Sequence, residues 1–146
     1  DSTRVITMSL DWIYGAISVP GATGGWHTLS HHGGRADLLR KLSRVESDIV
    51  KHLNRFLMEL DGVDEKGGTL LDHTTVMMGS NFGNASDHTH DNLPTIVEGG
   101  GYRHQAHTVL ARPAPLCNLY LELLHRHGVD AAGFGSSEAE TELLHG

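Results

Sequence analysis

The chain has 146 residues, 38% hydrophobic, 5% aromatic and 20% charged, with a formal charge of −7 when histidine is neutral. One modest domain with a real core is expected, and whole-chain disorder, collagen and coiled coil are excluded. No apolar run approaches the about 18 residues of a membrane helix, the acidic balance opposes a nucleic-acid surface, and a single cysteine, Cys117, excludes an internal disulfide or a multi-cysteine zinc site.

The outlying count is 12 histidines. Neutral imidazole is the commonest metal ligand, so this composition points to metal or acid–base chemistry before any motif is considered. The chain starts at Asp1 with no visible signal peptide, which leaves open a processed chain or a piece of something longer.

In chain order, residues 4–13 are rich in β-branched and aromatic types and predict a strand buried on at least one face. Gly and Pro punctuate 19–25, a loop that leads into Trp26-His-Thr-Leu-Ser-His-His-Gly-Gly34. Over 37–61, Leu38, Leu42, Val45, Ile49, Leu53, Phe56 and Leu60 recur at spacings of three and four, and Leu39, Val50 and Leu57 widen the stripe. That spacing predicts an amphipathic helix of about seven turns packed on one side. Asp37 is its expected N-cap and Gly62 its stop. Residues 64–68 read as a turn, Thr74–Met78 with Gly79 as a buried strand ending at Ser80-Asn81, and 81–93 as loop. Leu93–Glu98 predicts a short strand, followed by a tight turn at Gly99-Gly100-Gly101. Pro113-Ala-Pro115 starts a helix through about His127, with Leu116, Leu119, Tyr120, Leu123 and Leu124 inward. Residues 129–146 carry Gly, Ser and Glu and read as a loose tail, and no internal repeat is present.

The order strand, long helix, strand, loop, strand, helix is an α/β alternation. It predicts one α/β domain over 1–128, with a partly parallel sheet covered by helices. Ligands in such sheets bind in loops beyond the carboxyl ends of strands, and the histidine-rich loops 26–34 and 81–91 both adjoin strand ends.

Two clusters could carry chemistry. His27 and His31 stand four apart, which is ligand spacing on one face only where the segment is helical, and His32 adjoins them. In Asp87-His88-Thr89-His90-Asp91 an extended backbone would point His88 and His90 to one side and both aspartates to the other. Zinc or a similar divalent ion takes three or four N and O ligands at about 2.0–2.2 Å. Neither cluster suffices alone, but two loops on one sheet edge could together supply one or two ions. The bland alternative is that these are surface or hydrogen-bonding histidines, as expected for His52, His73, His104, His107, His125, His127 and His145. Ser80 and Asn81 edge the site, where turn hydrogen bonding competes with a ligand or nucleophile role; no Gly-x-Ser-x-Gly elbow surrounds them. Cys117 reads as an inert helix thiol.

Several strings in order, His27-Thr-Leu-Ser-His-His-Gly33, Lys51-His-Leu-Asn-Arg-Phe56, Gly68-Thr-Leu-Leu-Asp-His-Thr-Thr-Val76, Gly79-Ser-Asn-Phe-Gly83, His88-Thr-His-Asp-Asn-Leu-Pro94, Glu98-Gly-Gly-Gly101 and Phe134-Gly-Ser-Ser137, resemble one family. They are similar to the C-terminal portion of a bacterial family of uncharacterised proteins, domain-of-unknown-function family 1552, over nearly the whole chain. That family is itself similar to the alkaline phosphatase and sulfatase superfamily, which holds one or two divalent ions at the carboxyl edge of a central sheet. The resemblance implies an alkaline-phosphatase-like C-terminal portion of a longer, exported protein, periplasmic or extracellular. Ser80-Asn81 stands where the superfamily has an Asp-His pair, His88 and His90 match its later ligands, and His27 and His31 occupy the region of an Asp and a His ligand. The superfamily nucleophile lies near the start of the complete domain, outside this chain.

The expected function is a metal-binding, hydrolase-like domain with ancestral phosphate or sulfate ester chemistry. Its ligands would be His27, His31, His32, Asp87, His88, His90 and Asp91, and its cofactor a divalent ion such as zinc. The alternative is a non-catalytic structural or binding component with the same fold. Three strands fall short of the about five or six of a mean sheet, so a missing N-terminal segment, a partner chain or an oligomer is expected to cover an edge.

Overall fold

In a computed structural model, residues 3–10, 18–104, 107–141 and 143–144 are described. The chain divides into two units, residues 1–54 with 85–87, and residues 55–84 with 88–146.

In the first unit, a short helix α1 (Trp26–Ser30) precedes the long α2 (Ala36–Asp61), whose residues up to Asn54 belong here. Leu42 and Val45, three apart on α2, are buried with Ala22 and Leu29, and Val19, Trp26, Leu38 and Ile49 pack around them. The front of the apolar stripe therefore buries against α1 and the loop before it. Further along, Val50 and Phe56 are 46% and 48% exposed. The helix starts one residue before Asp37, so that residue lies in the first turn instead of capping it. Its carboxylate pairs with Arg35 at 2.9 Å, and this hydrogen bond holds it below its ordinary pKa. Gly62 N–H closes the last turn on Met58 O at 3.0 Å, as the expected stop.

Residues 3–10 form no strand, against the expectation for 4–13; positions 11–13 lie outside the described residues. Val5, Ile6 and Met8 are 79%, 84% and 79% exposed, so apolar alternation there has no covering layer among the described residues.

The second unit holds β1 (Asp64–Glu65), β2 (Gly68–Thr69), β3 (Thr75–Gly79), β4 (Thr95–Gly99) and α3 (Leu116–Arg126). β1 pairs with β2 and β3 with β4, both antiparallel, the latter in the register Thr75↔Gly99 through Gly79↔Thr95. Among the described residues the fold is thus mixed α and β, with helices and small antiparallel sheets; the expected parallel pairing does not form. The physical reason is the connection from Ser80 to Pro94, which carries no crossover helix and folds back as a loop. The triple-glycine turn forms as expected, with φ of 76°, 68° and 69° at Gly99, Gly100 and Gly101. Gly100 N–H donates to both Leu71 O and Thr74 O, at 3.0 and 3.1 Å.

Tyr102 links the hairpin to α3: its hydroxyl lies 3.0 Å from Thr75 Oγ1, and the Arg126 guanidinium sits 5.9 Å over its ring. The core beside α3 contains Leu119, Leu121 and Leu144, together with two buried polar residues, Asn118 and Glu122. Those two receive the segment after the helix. Asn118 Oδ1 accepts from Glu138 N–H at 2.9 Å, and Glu122 accepts from the Thr141 hydroxyl and from Leu143 and Leu144 N–H. Among the described residues no helix is long and apolar enough to cross a membrane.

Candidate functional site

In the first unit, residues 26–30 are helical, which meets the condition for His27 and His31 to share a face. Their rings stand 4.6 Å apart between centroids, edge to face at 75°. His32 is placed differently. Its Nδ1 accepts from Gly34 N–H at 3.0 Å, so the ring proton sits on Nε2 and neither nitrogen presents a lone pair outward. His32 also lies near Glu46, whose carboxyl is raised by loss of hydration, an effect the His32 charge opposes. Gly33 N–H donates to Ser86 Oγ at 3.0 Å, which ties the end of the first histidine cluster to residues 85–87 of the same unit. Asp87 is exposed.

In the second unit the loop after β3 builds a smaller site. Ser80 Oγ accepts from Phe82 N–H at 3.2 Å, so this hydroxyl serves the turn. Gly83 N–H donates to Thr89 O, Thr89 N–H to Asn84 O, and Asn84 N–H to Thr89 Oγ1, closing a miniature hairpin. Only a residue without Cβ fits at Gly83, where an added Cβ would lie 1.8 Å from Asp91 O. His88 and Asn92 adopt φ of 53° and 50°, so the loop is not extended and strand alternation does not place its side chains. Phe82 does so instead. Its ring centroid is 5.2 Å from that of His88 and 5.0 Å from that of His90. His88, His90 and Asp91 are all exposed.

The most defined member is His90. Its Nδ1 lies 2.9 Å from Asn81 O, and a carbonyl can only accept, so Nδ1 carries the proton. The neutral ring then keeps its lone pair on Nε2, the arrangement by which backbone carbonyls orient metal-binding histidines. Asn81 therefore matters through its carbonyl, not its side chain.

The structure thus brings together His27 with His31, and sets His88 and His90 each against Phe82. Among the described residues no group of three or more His, Cys, Asp or Glu side chains stands where it could hold one ion. Two imidazoles alone would fall short of the three protein ligands of catalytic zinc sites and the four of structural ones. Other histidines have structural partners: His73 Nε2 lies 3.1 Å from Lys66 O, His104 Nε2 lies 2.8 Å from Gly99 O, and His52 pairs with Asp48 at 3.6 Å. Sequence reasoning missed Phe82, whose signal was an aromatic flanked by polar loop residues. It also missed Glu122, whose signal was a carboxylate four residues after Asn118 within an apolar helix. No protein-family model, curated protein or solved structure matches the chain.

Proposed function

We propose that this chain is a metal-binding, hydrolase-like domain of an exported protein, similar to the C-terminal part of alkaline-phosphatase-like enzymes, with ancestral phosphate or sulfate ester chemistry. The carrying observation is the seating of His90, with Nδ1–H held by Asn81 O and Nε2 left as the donor, beside His88 on the same phenylalanine. Two imidazole donors suit a borderline ion such as zinc and fill half of its preferred shell. When bound, such an ion supplies Lewis acidity toward an ester oxygen. The chain's own residues orient the donors: Asn81 sets the tautomer of His90, and Phe82 packs against both rings.

A second reading is a non-catalytic structural or binding component. Ser80-Asn81 at the end of β3, in place of an acidic and imidazole pair, favours it. Calorimetric titration with zinc, at about pH 7.5 and about pH 5.5, tests the metal-binding element of the first reading, because protons compete for imidazole around its ordinary pKa of about 6.5. Saturable binding at the higher pH, lost at the lower, is expected. Equal heats at both values overturn it. Zinc binding together with turnover of an aryl phosphate or aryl sulfate selects the hydrolase reading, and a well-folded chain that binds no zinc selects the second.

A further inference from the structure

We infer that residues 130–141 with 143–144 form a strap on α3, and that a proton on His125 holds the first arm of this strap down. The segment returns along the helix that precedes it. Asn118, Glu122, His125 and Arg126, at intervals of four, three and one, all bond to it. These contacts make two anchors of different chemistry.

The far anchor is Glu122, which is 1% exposed and accepts from Thr141, Leu143 and Leu144; Arg126 adds a bond to Leu144 O. The near anchor is His125. Its Nδ1 lies 2.6 Å from Glu140 Oε1, and its Nε2 lies 2.8 Å from Ala131 O. The carbonyl can only accept, so Nε2 must donate. The short contact at Nδ1 then needs a second proton between ring and carboxylate, one more than a neutral imidazole and an ionised Glu140 together possess.

Other charged groups reinforce that proton. Asp130 adds its negative charge from the strap, and the Ala131 carbonyl, Glu140 and Asp130 together raise the His125 pKa above its ordinary 6.5. On α3 itself, the Glu122 carboxylate is engaged by Thr141, Leu143 and Leu144, and Arg126 bonds Leu144 O. An open depression of about 310 Å³ lined by His125, Gly128, Val129 and Asp130 borders the ring.

A group whose folded pKa is raised stabilises the fold fully below its unfolded value, and that contribution is lost as pH rises through the folded value. The near arm therefore loosens above pH 6.5, past the raised pKa of His125, while the far anchor, built on a carboxylate, stays. One lone pair is then left against Glu140 or Ala131 O, and the ring can satisfy only one acceptor.

The test is an NMR titration of the full chain, following the His125 ring nitrogens and the strap amides. Both ring nitrogens should be protonated at low pH. Ala131, Glu138 and Glu140 amide shifts should step with the His125 midpoint, whereas Leu143 and Leu144 should not. Glu140→Gln keeps an acceptor but removes the charge, and should lower the midpoint by about one unit, the smaller end of an adjacent-charge effect. His125→Gln should abolish the step while leaving the far anchor in place. Near-arm amides that do not move with His125, or a midpoint unchanged in Glu140→Gln, would overturn the proposal; Glu140→Gln decides the test even if His125→Gln impairs folding.

Discussion

At Gly99 the backbone φ is 76°, and an added Cβ would lie 2.2 Å from Thr74 O. Gly99→Ala should therefore destabilise the second unit by about 1–2 kcal/mol from left-handed strain, with the clash adding to it; a urea midpoint unchanged from wild type would contradict it. At Asp72 the carboxylate accepts from Thr69 N–H at 2.7 Å and Thr69 Oγ1 at 3.1 Å. These bonds lower its pKa from 3.8, so its stabilisation is present above that value and is lost as pH falls through the lowered one. Asp72→Asn should flatten this part of the acid limb, as read from urea midpoints between about pH 5 and about pH 2. For the proposed metal donors, the double change His88→Ala with His90→Ala should remove zinc binding at its site yet leave helix content unchanged, because both residues are exposed loop positions. Calorimetry and circular dichroism on the same sample check both halves. The Asp87–Asp91 motif was legible in the sequence, but the placement of its histidines was not: the spacing suggested an extended loop, whereas His88 takes a positive φ and both rings lie against Phe82.

At the scale of elements, α2 behaves as its spacing required over its first turns. Leu42 is 9% exposed and packs in the same cluster as Leu29. Leu42→Ala should cost about 2–4 kcal/mol, the range for a nearly buried leucine, with the loss seen in unfolding of the first unit. Phe56→Ala, at a position in the same predicted stripe but 48% exposed, should cost well under half of that. Comparing the two by chemical denaturation separates the buried part of the stripe from the rest. Periodicity located the stripe but could not say what meets it, because an apolar face matches a helix and loop as well as it matches a sheet. The same holds for α3. Its leucines marked an inward face, yet nothing in the composition of 129–146 announced that Asn118 and Glu122 would take up that segment's backbone.

For the whole molecule, Val5, Ile6 and Met8 are exposed and the β3–β4 ladder has two strands among the described residues, which leaves apolar surface and strand edges that a partner could cover. The proposal that a further segment or partner chain covers an edge predicts strong binding of a hydrophobic dye and concentration-dependent self-association in sedimentation. Ile6→Asp should reduce both, and a monomeric chain that binds no dye would remove the proposal. By itself the sequence determined what local physics controls. The long helix α2 follows from its three-and-four spacing, α3 from a proline start and leucine face, β3 and β4 from short β-branched runs between turn residues, and the glycine turn from three residues able to take positive φ. Only the tertiary structure decided how these combine. Strand direction depends on whether the connection crosses over or folds back, and here it folds back. The short helix at Trp26–Ser30 draws support from burial of Leu29 beside Leu42, a contact remote in sequence. The protonation of each histidine depends on which carbonyl, amide or carboxylate reaches its ring, and those partners are set by chain path, not by neighbours in sequence.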